Sequence, residues 1–142
     1  MNTLESIIKK AKLTQRRIVL SEGEDPRVIQ AAIRTKKALL AEPILIGIEN
    51  NIKRQIAKFN GEPDDFEIIN PVKAPCLEKY AGEYAVLRKN RLISVHEARK
   101  KIIQPLNFAA MMVRMKDADG TIGGAVATTS ETVSAAMKII GK

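Results

Sequence analysis

The feature that most limits how this chain can fold is a regular alternation of short apolar, β-branched runs with stretches of helical periodicity. Residues 17–20 (RIVL) follow polar residues and are stopped by Ser21-Glu22-Gly23, the pattern of a buried parallel strand. Pro26 then stands at a first-turn position, where its missing N–H costs nothing. Val28, Ile29, Ala32, Ile33 and Leu39 or Leu40 recur behind it at helical spacing. Residues 43–47 (PILIG) repeat the strand signal. Asn50 or Asn51 is expected to cap a helix carrying Ile52, Ile56 and Phe59, which Asn60-Gly61 ends. Residues 66–70 (FEIIN) are a third strand, followed by a loop through Pro75. The spacing predicts a helix over 77–91 and helical structure over 94–116, where Pro105 either kinks one helix or opens a second. The glycine-rich run 119–127 (DGTIGGAVA) reads as the fourth strand, and 128–140 as a last helix. With an amphipathic first helix in MNTLESIIKKAKL, the order is α-β-α-β-α-β-α-α-β-α. This predicts a three-layer α/β domain with a mainly parallel sheet and helices on both faces.

At 142 residues, residues 1–142 are expected to form a single domain able to bury a core without disulfides or metal staples. The longest apolar stretches fall far short of the roughly 20 residues needed to cross a bilayer, and the N-terminus lacks the apolar core of a secretory signal. A lone Cys76 cannot form an internal disulfide, so a cytoplasmic location is expected. Lys and Arg number 24 against 16 Asp and Glu, and the net charge of +8 favours anionic partners. The five Phe and Tyr residues do not sit in a basic stacking motif, so nucleic acid is not the expected partner.

In open α/β sheets ligands bind at the carboxyl ends of the strands. Two loops stand out there. Ser21-Glu22-Gly23-Glu24-Asp25-Pro26-Arg27 carries three carboxylates, reads first as helix capping, and makes a poor phosphate cradle. Residues 123–132 (GGAVATTSET) combine paired glycines with a hydroxyl cluster opening a helix, where a phosphate would fit. The same residues fit a capping box, Thr128 with Glu131, which needs no ligand. His96 reads as solvated or capping, Cys76 as incidental, and the methionines 111, 112, 115 and 137 as core. There is no P-loop, dinucleotide fingerprint or zinc pattern.

Three runs, residues 17–32 (RIVLSEGEDPRVIQAA), 84–91 (YAVLRKNR) and 115–140 (MKDADGTIGGAVATTSETVSAAMKII), together resemble the phosphate acetyltransferase and phosphate butyryltransferase family over nearly the whole chain. The first run is more similar to the acetyltransferase branch. The resemblance implies reversible transfer of an acetyl group between coenzyme A and inorganic phosphate, with no metal or nucleotide cofactor. It also implies a fold like domain one of isocitrate and isopropylmalate dehydrogenases, a homo-oligomer, and a site in a cleft between two domains. Thr129, Ser130 and Thr132 match the family's Ser/Thr cluster at that cleft, and Arg88 matches an arginine implicated in coenzyme A binding. Two departures follow. Ser134-Ala135 stand where the family carries Arg-Pro, and the chain is less than half the family length, so the family's C-terminal catalytic segment is expected to lie outside it. The alternative readings are a non-catalytic anion-binding or assembly module of the same fold, or a phosphate butyryltransferase.

Overall fold

A computed structural model describes residues 2–141. Among them four strands, β1 (Arg16–Leu20), β2 (Ala41–Ile46), β3 (Glu67–Ile69) and β4 (Gly120–Ile122), form an all-parallel sheet in the order β3-β2-β1-β4. The helices are α1 (Thr3–Leu13), α2 (Pro26–Lys37), α3 (Glu49–Lys58), α4 (Leu77–Leu87), α5 (Val95–Ile102), α6 (Pro105–Arg114) and α7 (Thr129–Ile139). No described helix is long and apolar enough to cross a membrane.

The layers follow from the two-residue period of a strand, which sends successive side chains to opposite faces. Val19, Ile44 and Ile46 enter one core with Tyr80 and Tyr84 of α4, Ile102 of α5, Phe108 and Met111 of α6 and Ile139 of α7. Leu45 faces the other way, into a smaller core with Ile29 and Ile33 of α2 and Ile52 and Ile56 of α3. Each fully buried aliphatic contributes about 1.5–3 kcal/mol relative to exposure. The expected three-layer α/β architecture is therefore present, with α2 and α3 on one face and α4 to α7 on the other. Pro43 is tolerated within β2 because β3 pairs only from Ile44 onward.

Several boundaries differ from the sequence reading, each for a physical reason. Pro105 is the first residue of α6, and Gln104 before it is extended, as the residue before proline prefers. Of its two readings, the second helix is the one present. The helix expected over 77–91 stops at Leu87, gives way to a 3-10 turn at Lys89–Arg91, and turns out through Leu92 at φ 51°. Neither Asn50 nor Asn51 caps α3. Its N-cap is Ile48, and the Glu24 carboxylate reaches across to accept the Ile48 N–H at 3.3 Å and Asn51 Nδ2 at 3.0 Å. The fourth strand ends at Ile122 rather than Ala127, because the N–H groups that follow turn to a carboxylate instead of a neighbouring strand. Both edge strands are three residues long, so neither offers an extended ladder to another chain. Exposed apolar surface lies instead on α1, which buries none of its residues and leaves Leu4 and Leu13 exposed, and on α7 at Val133 and Met137.

Candidate active-site cleft

The carboxyl ends of β1 and β4 lie side by side, and the loops that leave them build one side of a cleft of ≈ 1250 Å³. Buried Ser21 joins the two loops, its N–H donating to the Ile122 carbonyl at 3.2 Å and its Oγ to the same oxygen at 3.4 Å. Gly123 lets the loop pack closely here, since a Cβ would come within 2.7 Å of Ser21 Oγ and 2.8 Å of Leu106 Cδ2 and both side chains would have to shift.

The Glu22 carboxylate accepts four main-chain N–H groups. Its Oε1 accepts the N–H groups of Gly124 and Ala125 at 2.6 and 2.7 Å, and its Oε2 those of Val126 and Ala127 at 2.6 and 2.7 Å. Successive main-chain N–H groups converging on one anion form a nest of the kind that cradles phosphates elsewhere. Burial pushes the Glu22 carboxyl up, but the four donors outweigh it and hold the group below the ordinary carboxylate range. The same loop is gripped from the other side by Arg27, whose Nη2 donates to the Ala125 carbonyl at 2.7 Å. Arg27 is fixed by a two-point pair with Asp25, at 3.1 and 2.9 Å, and that guanidinium lowers the Asp25 pKa to about 2. Asp25 also caps α2 by accepting the Arg27 N–H at 2.8 Å.

Facing these loops, the ends of α4 and α5 present Arg88, Arg91, Lys100 and Lys101 to the cleft, and α7 adds Lys138. Five carboxylates line it as well: Glu22, Glu24, Asp25, Glu97 and Glu131. The balance is decided by which groups keep free hydrogen-bonding capacity. Glu22 is held by the nest, Glu24 by the start of α3, Asp25 by Arg27, and Glu131 by its capping box with Thr128. None of the five cations pairs with a carboxylate among the described residues. Glu97 alone among the five carboxylates has no such partner among the described residues, so the wall offers five unengaged cations against four committed carboxylates and one free one, a balance that still favours a polyanionic ligand. Arg88 sits at the C-cap of α4, where a cation is favoured by the helix dipole.

The hydroxyl cluster is arranged otherwise. The face that α7 turns to the cleft carries Glu131, Ser134, Ala135 and Lys138, spaced at three and four residues, whereas Thr129, Ser130 and Thr132 do not line it. Thr132 Oγ1 donates back to the Thr128 carbonyl at 3.0 Å. Thr128 and Glu131 form the capping box that the sequence suggested, so the capping reading accounts for them. The Thr129 and Ser130 N–H groups and hydroxyls, in the exposed first turn, have no partner among the described residues. Arg88 is the one candidate from the sequence that reaches the cleft wall; Arg91, Lys100, Lys101 and Lys138 were not singled out. Nothing in the run Arg99-Lys100-Lys101 separates the cleft lysines from Arg99, which turns away to pair with Glu78 at 2.7 Å. Glu22 was read only as a member of an acidic loop.

His96 is exposed, and Ser94 rather than His96 caps α5. Burial raises the pKa of the half-buried Cys76 thiol, the opposite of what a nucleophile needs. No cluster of three or more His, Cys, Asp or Glu side chains among the described residues is disposed to hold a metal.

Residues 2–142 match the sequence profile of the phosphate acetyl/butaryl transferase family. The chain is 40% identical over 142 residues to a phosphate acetyltransferase of Paracoccus denitrificans, covering 100% of this chain and 41% of that protein. It is 36% identical over 140 residues to the phosphate acetyltransferase of Clostridium acetobutylicum, covering 99% and 42% respectively. Its fold superposes on the crystal structure of a phosphotransacetylase from Streptococcus pyogenes with a TM-score of 0.92 at 30% identity, covering 98% of this chain and 43% of that one. The chain thus spans less than half the length of the curated relatives it matches, 42% of the Clostridium acetobutylicum protein and 19% of a longer one from Nitratidesulfovibrio vulgaris. Profile, sequence and fold agree over almost every residue described, and the chain belongs to the phosphate acetyl/butaryl transferase family.

Proposed function

We propose that this chain forms part of the substrate cleft of an enzyme that exchanges an acetyl group between coenzyme A and inorganic phosphate. The observation that carries the reading is the group of cations without a carboxylate partner among the described residues, Arg88, Arg91, Lys100, Lys101 and Lys138, along a cleft at the carboxyl ends of parallel strands. Coenzyme A bears several phosphate charges on a long, flexible body. It matches a large open cleft with dispersed donors better than a compact nest.

In the direction of thioester synthesis, the coenzyme A sulfur attacks the carbonyl carbon of acetyl phosphate. The new C–S bond forms, the C–O bond to phosphorus's oxygen breaks, and inorganic phosphate departs with the bonding pair. The exchange is redox-neutral, and no electron carrier enters its balance. The thiol must lose a proton, and we assign that base to no residue of this chain. The residues named here bind and orient. Arg88 and the α5 lysines take coenzyme A phosphates. Thr129 and Ser130 lie outside the cleft wall, on the exposed first turn of α7, and we assign their free N–H and hydroxyl groups to the phosphate end of acetyl phosphate only where the substrate reaches past that wall; Thr132 is committed to the Thr128 carbonyl. The exposed apolar residues of α1 and α7 support association with a further copy or segment.

The test is calorimetric titration of coenzyme A into the purified chain, with acetyl-coenzyme A and butyryl-coenzyme A formation assayed from the corresponding acyl phosphates. Binding that weakens about tenfold in Arg88→Ala, the cost of one charge-assisted hydrogen bond, supports the reading. Absence of coenzyme A binding overturns it. Binding without turnover fits the non-catalytic module of the same fold.

A further inference from the structure

We infer that Glu22 is a positioning residue of the cleft: its carboxylate is the resident anion of the nest formed by residues 124–127, and substrate phosphate is held elsewhere. This rests on the proposed function for its consequence, although the occupancy of the nest stands on geometry alone. Both Glu22 oxygens are engaged, each with two N–H groups at 2.6–2.7 Å, so the loop has no donor left for a second anion. A tethered carboxylate competes with free phosphate at an effective concentration in the millimolar range or above. Its own negative charge repels any anion that approaches the same donors. The glycine-rich loop, which by composition alone looks like a phosphate cradle, is therefore closed by the protein itself.

What the occupied nest does is fix the origin of α7. The loop runs directly from β4 into the Thr128 N-cap, and Glu22 and Arg27 hold its N–H groups and a carbonyl from the β1–α2 side. The start of α7 in turn sets where Thr129, Ser130 and, two turns later, Lys138 lie relative to the wall that carries Arg88. Glu22 thus acts on the ligand through the loop and the helix.

The experiment uses Glu22→Ala and Glu22→Gln in the full chain, with three readouts: amide exchange at residues 124–127, coenzyme A affinity by calorimetry, and the response of both to added sodium formate. In Glu22→Ala we expect exchange of the four amides to rise at least about tenfold, coenzyme A affinity to fall at least about tenfold, and formate at tens of millimolar to reverse both. A merely structural loss would not respond to a free carboxylate. In the isosteric Glu22→Gln the amide oxygen accepts while the NH2 confronts N–H donors, so a partial loss without formate rescue is expected. Unchanged exchange in both variants overturns the nest. Raised exchange with unchanged coenzyme A affinity overturns the positioning role. If the unsubstituted chain does not bind coenzyme A, the functional reading fails, while the exchange and formate results still decide whether Glu22 fills the nest. Should Glu22→Ala not fold, Glu22→Gln decides the same two points.

Discussion

Replacing Gly23 by alanine tests the seating of the β1–α2 loop on the sheet. A Cβ there would lie 2.6 Å from the Ile46 carbonyl oxygen, 2.7 Å from the Ile46 nitrogen and 3.1 Å from the Leu45 carbonyl carbon. All three are main-chain atoms of β2, a central strand, so no side-chain rotation relieves the overlap. Overpacking of this kind costs about 1–3 kcal/mol. The Gly23 N–H also donates to the Ile46 carbonyl at 3.1 Å, and stretching that bond adds about 1 kcal/mol. Gly23→Ala is therefore expected to lose about 2–4 kcal/mol. In urea, at a slope of about 2 kcal/mol/M, the middle of the range for small proteins, that is a fall in midpoint of about 1–2 M. Gly82 supplies the internal comparison: it is exposed within α4, and an added Cβ meets nothing within 4 Å. Gly82→Ala is expected to gain about 0.5–1 kcal/mol from helix propensity. Because Gly23 lies between Glu22 and Glu24, the first substitution should also loosen the loop that Glu22 holds, raising amide exchange at 124–127. Circular dichroism followed through urea unfolding measures both variants. A Gly23→Ala midpoint equal to that of the unsubstituted chain, with Gly82→Ala stabilised as expected, would refute the packing described here.

Acid should destabilise the protein through the same loops. Glu22 and Asp25 both titrate below their ordinary values when folded, so their contribution is complete above about pH 4.5. It is lost as the pH falls through the folded values, down to about 2 for Asp25. Thermal melts from pH 6 to 2 should decline on that limb and flatten in Glu22→Gln; an identical decline in the variant would remove Glu22 from the account. Lys100→Ala combined with Lys101→Ala should weaken coenzyme A binding about tenfold or more by calorimetry, whereas Arg99→Ala should leave it unchanged, because Arg99 engages Glu78 on an exposed surface. Tyr80→Phe removes the hydroxyl that donates to Asp117, next to the buried Tyr80–Phe108 ring pair. Urea unfolding should register a loss of about 1–3 kcal/mol with coenzyme A affinity intact, since Tyr80 does not line the cleft.

The sequence by itself determined the features whose causes are local in the chain. β-Branched runs bounded by glycine and proline specified parallel strands, helical periodicity specified the layers over them, and Thr128 with Glu131 three residues on specified a cap that is present. Where the reading missed, a distant residue had changed the local answer. Asn50 and Asn51 are good capping residues, yet α3 begins one residue before Asn50 because Glu24 serves its first turn from another loop. The run 123–127 is apolar enough for a strand and glycine-rich enough for a phosphate loop, yet it is neither, because Glu22 captures its amides from 102 to 105 positions away. Side-chain direction was equally out of reach. Lys100, Lys101 and Arg99 are chemically alike neighbours, and only the packing of α5 against α4 sends Arg99 to Glu78 and the lysines to the cleft. Short-range backbone preferences and periodicities are encoded within a few residues. Which donor meets which acceptor across the sheet is settled only when the chain has closed on itself, and in this protein that closure decides which part of the cleft is free to bind an anion.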